Sequence, residues 1–183
     1  MPRARKVVLL GDFGVGKTSF GLRLAEDEFR ESTLATLGVA HFTVLVPPAG
    51  NPLGAATKLE IWDTAGQERY RSLDTLRLYL RRAAGAVVVA DATRAASFEA
   101  ARRVVAQLRE DGGDLGCPPD LPIALALNKC DLDGQRAVAR DAVDAFAAEF
   151  KLADARDTSC KTGEGVLDLA RALVAALPPP PPE

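Results

Sequence analysis

The chain has 183 residues, enough for one domain with a proper hydrophobic core. Its 48% hydrophobic and 26% charged residues are ordinary for a soluble globular protein, and a formal net charge of -2 gives no general attraction to nucleic acid or to anionic membranes. Three scattered cysteines without a CxxC pair, and a single histidine, exclude a disulfide framework and a zinc site and favour a reducing, cytoplasmic setting.

Neither end of the sequence carries a recognisable targeting signal. The basic start is followed by too few apolar residues for a signal peptide or a membrane span. Pro2 stands where N-myristoylation needs glycine, and the last residues hold no cysteine for prenylation. We therefore expect a cytoplasmic protein with no membrane span and no visible lipid anchor, which joins a membrane only through partners or through a missing C-terminal extension.

Strands and helices are predicted to alternate along the chain. In chain order, the patterns predict a strand at 6–10, a helix at 18–25, strands at 41–46, 58–62 and 86–90, a helix at 97–110 capped by Ser97, a strand at 123–127, a helix at 137–150, a strand at 155–158 and a helix at 166–176. This alternation implies an α/β fold with a mostly parallel six-stranded sheet and helices on both faces. We expect residues 1–177 to form a single domain and residues 178–183 a proline-rich tail.

Four polar stretches fall at or just beyond predicted strand ends. They are residues 11–18, 63–68, 128–131 and 159–161. Because ligands in parallel α/β folds bind beyond the carboxyl ends of the strands, we expect these stretches to meet at one edge of the sheet.

The first stretch matches G-x-x-x-x-G-K-T between a strand and a helix, the pattern of a phosphate-binding loop. Glycines let the main chain wrap closely around an anion, and the start of the helix adds partial positive charge. Lys17 would place a full charge at the outer phosphates, and the Thr18 hydroxyl would bind Mg²⁺. A glycine-rich turn that arose by chance is the alternative. The expected nucleotide-binding residues here are Asp12, Phe13, Gly14, Val15, Gly16, Lys17, Thr18 and Ser19.

The third stretch, N-K-C-D at residues 128–131, selects the base. The Asp131 carboxylate can accept hydrogen bonds from the N1–H and the exocyclic amine of guanine, a donor pair that adenine lacks. Asn128 can tie this segment to the phosphate loop, and the stem of Lys129 can cover one face of the ring. Alone, the tetrapeptide could be a charged turn, but downstream of a phosphate loop it favours a guanine nucleotide.

With W-D-T-A-G-Q-E at residues 62–68, these motifs resemble the Ras-superfamily small GTPases, and most closely their Rab branch. The resemblance runs from about residue 6 to 177, with the motifs in the family's order. It implies the P-loop NTPase fold of small GTPases, binding of GTP or GDP with Mg²⁺, and hydrolysis of GTP to GDP in a molecular switch for trafficking or regulation.

The resemblance also implies residues that surround the base. Ser159, Cys160 and Lys161 are similar to the family's S-A-K, whose middle residue gives its main-chain N–H to the guanine oxygen. Phe29 stands where relatives place an aromatic ring against the base. An ordinary core phenylalanine is the alternative reading of Phe29.

On the phosphate side, the resemblance implies that Asp63 holds Mg²⁺ through water and that the Gly66 N–H contacts the γ-phosphate. Gln67 would orient the attacking water and act as a catalytic residue together with Lys17. Thr36 has the spacing of the switch threonine that completes the magnesium shell, although it could be a plain loop residue.

Phe13 departs from the family, which has glycine or serine at this position close to the γ-phosphate. A bulky ring would displace Gln67 or block an incoming arginine, and either would slow hydrolysis. Alternatively, the ring points to solvent or packs on a switch segment and leaves the chemistry intact.

Two surfaces that partners read also differ from those of typical Rabs. The connection at residues 47–56 is longer, and the segment after Leu73 lacks Y-Y-R-G-A. We expect effectors, exchange factors and activating proteins to bind the switch segments of a monomer, with no nucleic-acid partner, but the family's usual partners should not be assumed.

Three functions remain in competition. The first is a switch that hydrolyses GTP, the second a nucleotide-locked interaction module with negligible hydrolysis, and the third an ATP-using phosphotransferase. Asp131 and the lack of an arginine-rich lid motif argue against the third. The rate of hydrolysis separates the first two.

Overall fold

The computed structural model describes residues 4–31, 39–50, 54–64, 73–118 and 120–179. In these residues strands and helices alternate as the apolar runs of the sequence require. The elements are β1 (Arg5–Leu10), α1 (Lys17–Glu26), β2 (Val39–Val46), β3 (Thr57–Thr64), α2 (Leu73–Leu80), β4 (Gly85–Asp91), α3 (Ala95–Asp111), β5 (Ile123–Asn128), a 3₁₀ segment (Cys130–Gln135), α4 (Arg140–Glu149), β6 (Asp154–Asp157) and α5 (Val166–Ala176).

The strands form one six-stranded sheet in the order β2-β3-β1-β4-β5-β6. β2 runs antiparallel to β3, and all other neighbouring pairs are parallel. The central strand β4 is buried along its whole length, as expected for a strand covered on both faces. The predicted fold class, a mostly parallel sheet with helices on both sides, is confirmed.

Two hydrophobic cores lie on opposite faces of the sheet. Successive side chains of β1 point to opposite faces, so Val7 and Leu9 join one core while Val8 and Leu10 join the other. The first core includes Phe20 of α1 and the apolar stripe of α5, and the second includes side chains of α2, α3 and α4. This three-layer packing buries both faces of the sheet beneath the loops at its carboxyl edge.

Helix α2 was not predicted from the sequence. It spans Leu73–Leu80, and its Leu76 and Leu80 are buried against the sheet. Two turns carry too few apolar positions to establish a helical period, so the burial of these leucines is decided by the sheet rather than by the local pattern.

The predicted Ser97 cap is wrong. Helix α3 begins at Ala95 with Arg94 as N-cap, and Ser97 lies inside the first turn. The buried Ser97 hydroxyl accepts a hydrogen bond from the Asp91 N–H at 2.9 Å and donates to the Arg94 carbonyl at 2.7 Å. It therefore closes the turn between β4 and α3, which we call the β4–α3 turn (residues 91–94).

Helix α4 is shorter than predicted, beginning at Arg140 rather than at Ala137. The N–H groups of Ala137 and Val138 donate to the Ala92 carbonyl at 2.8 and 3.2 Å. These bonds hold the chain after the 3₁₀ segment against the β4–α3 turn and delay the helix by one turn.

Candidate nucleotide-binding site

The loop between β1 and α1 folds as the glycine pattern predicts. Gly11 has φ of +145°, and a Cβ there would lie 2.3 Å from the Val89 carbonyl oxygen. Gly16 has φ of +100°, and a Cβ there would lie 2.4 Å from the Asn128 side-chain nitrogen. Both positions require glycine because the main chain is left-handed and in contact with its neighbours. The loop thus packs tightly between β4 and the end of β5.

Lys17 points back into this loop. Its ammonium donates to the carbonyls of Gly11 and Asp12, both at 2.9 Å, and the side chain is 6% exposed. Gly16, the N-cap of α1, has no side chain to cover the first turn of the helix. A buried positive charge and the positive end of a helix dipole therefore act on the same concave loop, which suits a phosphate chain.

Thr18 and Asp63 come together at the edge of the sheet. The Thr18 hydroxyl donates to Asp63 Oδ2 at 2.6 Å, and Asp63, the penultimate residue of β3, is fully buried. A hydroxyl beside a carboxylate is a donor set that fits Mg²⁺, which prefers hard oxygen ligands and retains waters or phosphate oxygens in its shell. Among the described residues there is no cluster of three or more His, Cys, Asp or Glu suited to a metal.

Asn128 joins the base segment to the phosphate loop, as predicted. Its amide nitrogen donates to the Val15 carbonyl at 2.9 Å, and its amide oxygen accepts from the Cys160 N–H at 3.1 Å. The side chain is 2% exposed. One amide thus connects three loops, and the stretches predicted to converge at strand ends do so wherever the structure describes them.

Asp131 and Lys129 are also held in place. The Ser159 hydroxyl donates to Asp131 Oδ1 at 2.6 Å, leaving the other carboxylate oxygen available to a ligand. The Lys129 ammonium lies 2.6 Å from Asp91 Oδ2. Burial alone would raise the pKa of Asp91, but hydrogen bonds from Lys129 and Thr93 outweigh it and hold that pKa below its usual value.

A cavity of about 500 Å³ lies between these loops. Its size is in the range of pockets that hold small molecules. Phe29 lines it and is 37% exposed, so Phe29 is not a core residue. The cavity is lined further by Gly14, Gly16, Ser19, Asn128, Lys129, Asp131, Cys160 and Lys161.

Cys160 is nearly inaccessible at the wall of this cavity. It is 3% exposed, and burial raises the pKa of its thiol to about 12. Burial, followed by nearby carboxylates, also raises the pKa of Cys130 to about 11. Both thiols are therefore protonated at neutral pH, and Cys160 behaves as the small apolar residue that stands in its place in S-A-K.

Two charged residues of the β4–α3 turn, Asp91 and Arg94, were not predicted from the sequence as part of the site. Arg94 donates to the Phe13 carbonyl at 2.7 Å and lies 3.7 Å from Asp12 Oδ2, while Asp91 binds Lys129. One sequence signal was available, because Asp91 ends a buried strand and Arg94 follows it, at the same sheet edge as the motifs. The Phe13 side chain is 46% exposed, so it is not packed into either core.

Three predicted site residues, Thr36, Gly66 and Gln67, lie outside the described residues. Within the described part of the chain, no helix combines the length and the apolar character needed to cross a bilayer.

Comparison with known proteins agrees with this geometry. The family model described as "Ras family" matches residues 6–178. The chain is 43% identical over 175 residues to the GTP-binding protein ypt5 of Schizosaccharomyces pombe, covering 95% of this chain and 78% of that one. It is 42% identical over 173 residues to Ras-related protein RABF2a of Arabidopsis thaliana (94% and 80% covered) and 38% identical over 177 residues to mouse Ras-related protein Rab-31 (97% and 85% covered). The chain therefore belongs to the Ras family, in its Rab branch, and is a small GTPase, a nucleotide-binding switch that hydrolyses GTP.

Proposed function

We propose that this GTPase binds GTP and GDP, with Mg²⁺, in the cavity between the phosphate loop and the segments 128–131 and 159–161. The observation that carries the proposal is the Asn128 amide, which bonds to both the Val15 carbonyl and the Cys160 N–H. These bonds join the phosphate-binding and base-binding loops, and both loops line one cavity.

In this proposal Asp131 recognises the guanine base. Its free oxygen and the one that Ser159 holds accept hydrogen bonds from the N1–H and amine of guanine, and the Lys129 stem and the Phe29 ring pack against the base. The Cys160 N–H donates to Asn128 Oδ1 at 3.1 Å, so a guanine oxygen would share this donor. Ser19 and Lys161 complete the wall of the cavity.

Lys17 and the main-chain N–H groups of residues 12–16 would hold the phosphates. The Lys17 ammonium, now bound to two loop carbonyls, would turn toward the outer phosphate oxygens without leaving the loop. Thr18 and Asp63 would hold Mg²⁺, Asp63 through water, and we place Thr36 in the same shell. When bound, the ion neutralises charge on the phosphate oxygens.

For hydrolysis, we propose that Gln67 orients the attacking water and that the Gly66 N–H contacts the γ-phosphate. We further propose that Phe13 makes the reaction slow. The exposed ring supports this, because Arg94 holds the Phe13 main chain while neither core holds the side chain. A ring of this size beside the γ-phosphate hinders both a catalytic glutamine and an incoming arginine. In the extreme case, the protein is a nucleotide-locked module that scarcely turns over.

We propose that partners recognise the switch segments and the adjoining edge of the sheet. His41 and Trp62 lie there with ring centroids 4.2 Å apart, and the Lys6 ammonium lies 3.7 Å from the Trp62 ring centroid. Aromatic side chains at the surface are typical of interfaces. On this basis effectors, exchange factors and activating proteins would act on a cytoplasmic monomer whose G domain covers residues 1–177, followed by the tail 178–183.

The test is to identify the nucleotide that copurifies with the protein, by chromatography after denaturation. We expect GDP or GTP in near-stoichiometric amount and no adenine nucleotide. Protein that contains none, and that takes up no fluorescent GDP after removal of magnesium with EDTA and its restoration, would refute the proposed site. Single-turnover hydrolysis of GTP by the loaded protein then separates the slow enzyme from the locked module.

A further inference from the structure

Arg23 in the last turn of α1 makes an unusual number of hydrogen bonds for one side chain. Its Nε donates to the Cys160 carbonyl at 2.9 Å, and its Nη2 donates to the Lys161 carbonyl at 2.9 Å. Its Nη1 donates to the Asp27 carbonyl at 2.7 Å and to Asp27 Oδ1 at 2.9 Å. The planar fork of the guanidinium thus bonds to two chain segments at once.

Both segments lead to residues that line the base pocket. Cys160 and Lys161 belong to the loop after β6 and line the cavity. Asp27 is the C-cap of α1 and precedes Phe29, another lining residue, by two positions. Among the described contacts, Arg23 is the side chain that directly bridges the loop after β6 and the chain leading to Phe29.

The low exposure of Arg23 indicates that its side chain is held in one place, unlike a mobile side chain at the surface. Its side chain is only 14% exposed. The ion pair with Asp27 Oδ1 contributes little to holding Arg23, because Asp27 is 90% exposed and such pairs are weak in water. The bonds to main-chain carbonyls are the stronger part, since a charged donor shielded from solvent has few other partners.

We propose that Arg23 is a positioning residue that holds the two walls of the base pocket together and thereby slows the release of bound guanine nucleotide. The proposal rests on the base site described under Proposed function. Arg23 does not touch the nucleotide in this view. It keeps the Cys160–Lys161 main chain and the approach to Phe29 at a fixed separation, so that release requires the pocket to open against these bonds.

The experiment measures dissociation of fluorescent GDP, chased with excess GDP at fixed magnesium, for wild type, Arg23→Ala and Arg23→Lys. We expect release about 10- to 100-fold faster in Arg23→Ala, the range that losing charged hydrogen bonds implies. Arg23→Lys keeps the charge but not the fork, so it should lie between the two. The association rate should change much less, because the closed pocket retards escape more than entry.

Arg109→Ala is the matched control. Arg109 likewise donates through Nε and Nη1 to two main-chain carbonyls, of Phe150 at 3.2 Å and Leu121 at 2.8 Å, but away from the nucleotide cavity. We expect its loss to lower the melting temperature and to leave the GDP release rate within about twofold of wild type.

A release rate for Arg23→Ala within about twofold of wild type, with a lowered melting temperature, would overturn the proposal and make Arg23 a purely structural residue. If Arg23→Ala does not fold by circular dichroism, Arg23→Lys decides, and a wild-type release rate in that variant overturns the proposal equally. Failure of the base site itself gives a different result, since wild-type protein would then bind no fluorescent GDP at all.

Discussion

The base end and the phosphate end of the site are built in different ways. At the base end, Ser159 binds Asp131 and Asp91 binds Lys129 through their side chains, and the Asn128 amide bonds to the main chain of two loops. At the phosphate end, Lys17 has main-chain carbonyls as partners, and the Phe13 ring is exposed. A pocket organised before its ligand arrives loses less entropy on binding. We infer that the base end contributes equally to the binding of GDP and GTP, while the phosphate end distinguishes the two nucleotides by the third phosphate.

The largest effect should come from removing Lys17. Lys17→Ala takes the buried positive charge out of the phosphate loop and leaves two carbonyls facing the phosphates. We expect affinity for GDP to fall at least about 100-fold, or ~3 kcal/mol, measured by titration of nucleotide-free protein. Lys58→Ala, at a residue of β3 outside the cavity lining, is the control and should bind normally. Retained affinity in Lys17→Ala would mean that the loop does not bind phosphates.

The next largest effect tests the base end. Asp131→Asn replaces one acceptor oxygen by a donor, so affinity for GTP should fall about 10- to 100-fold while affinity for the xanthine nucleotide rises. Competition between the two nucleotides for binding measures this shift. Asp133→Asn, at an exposed carboxylate of the same 3₁₀ segment, should leave the preference for guanine unchanged. Undiminished GTP binding by Asp131→Asn would place the base elsewhere.

Phe13→Gly tests the phosphate end alone. If the ring hinders the reaction, its removal should raise single-turnover GTP hydrolysis about 10-fold, or ~1.4 kcal/mol of activation free energy. GDP dissociation should change by less than about twofold, because GDP lacks the phosphate that the ring approaches. Phe13→Leu keeps an apolar bulk and should remain slow. If wild type hydrolysed GTP as fast as Phe13→Gly, the ring would leave the chemistry intact.

Arg94→Ala should have a smaller effect on the same rate. The Arg94 side chain is 43% exposed, so its hydrogen bond to the Phe13 carbonyl is partly screened by water. We expect hydrolysis to change by about two- to fivefold, the effect of one net hydrogen bond, without a change in GDP release. Arg103→Ala, at an exposed position of α3, the helix that follows Arg94, is the control. A change in GDP release instead would mean that Arg94 supports the whole pocket.

The smallest effect concerns the cysteines of the base end. Alkylation requires the thiolate, and burial raises the pKa of Cys160 to about 12 and that of Cys130 to about 11. We expect iodoacetamide at pH 8 to modify both at least about tenfold more slowly than free cysteine, as read by peptide mass spectrometry. In the folded state both thiols stay protonated at pH values above the ordinary thiol pKa. The free energy of unfolding should therefore decrease as pH rises from about 9 toward 11 or 12. Rapid labelling of Cys160 would show that the base end opens without nucleotide.

Local sequence patterns were enough to predict the strands, the fold class and the phosphate loop. Alternating apolar runs specified the six strands and the fold class, because a strand buried on both faces has to be apolar throughout. Glycine spacing specified the phosphate loop, since only glycine fits the main-chain conformation at Gly11 and Gly16. The short helix α2 and the true start of α3 could not be predicted, because packing on the sheet and the Ser97 bonds decide them.

The sequence by itself thus predicted the fold class, the family and the residues proposed to bind guanine nucleotide, because these predictions depend on residue types at short, fixed spacings. Only the tertiary structure decided how the site is held. Arg23 bonds to a carbonyl 137 residues away and Arg94 to one 81 residues away. Such contacts follow no local period, because they depend on which strands become neighbours in the sheet. The motifs predict the site, and these long-range hydrogen bonds join its loops.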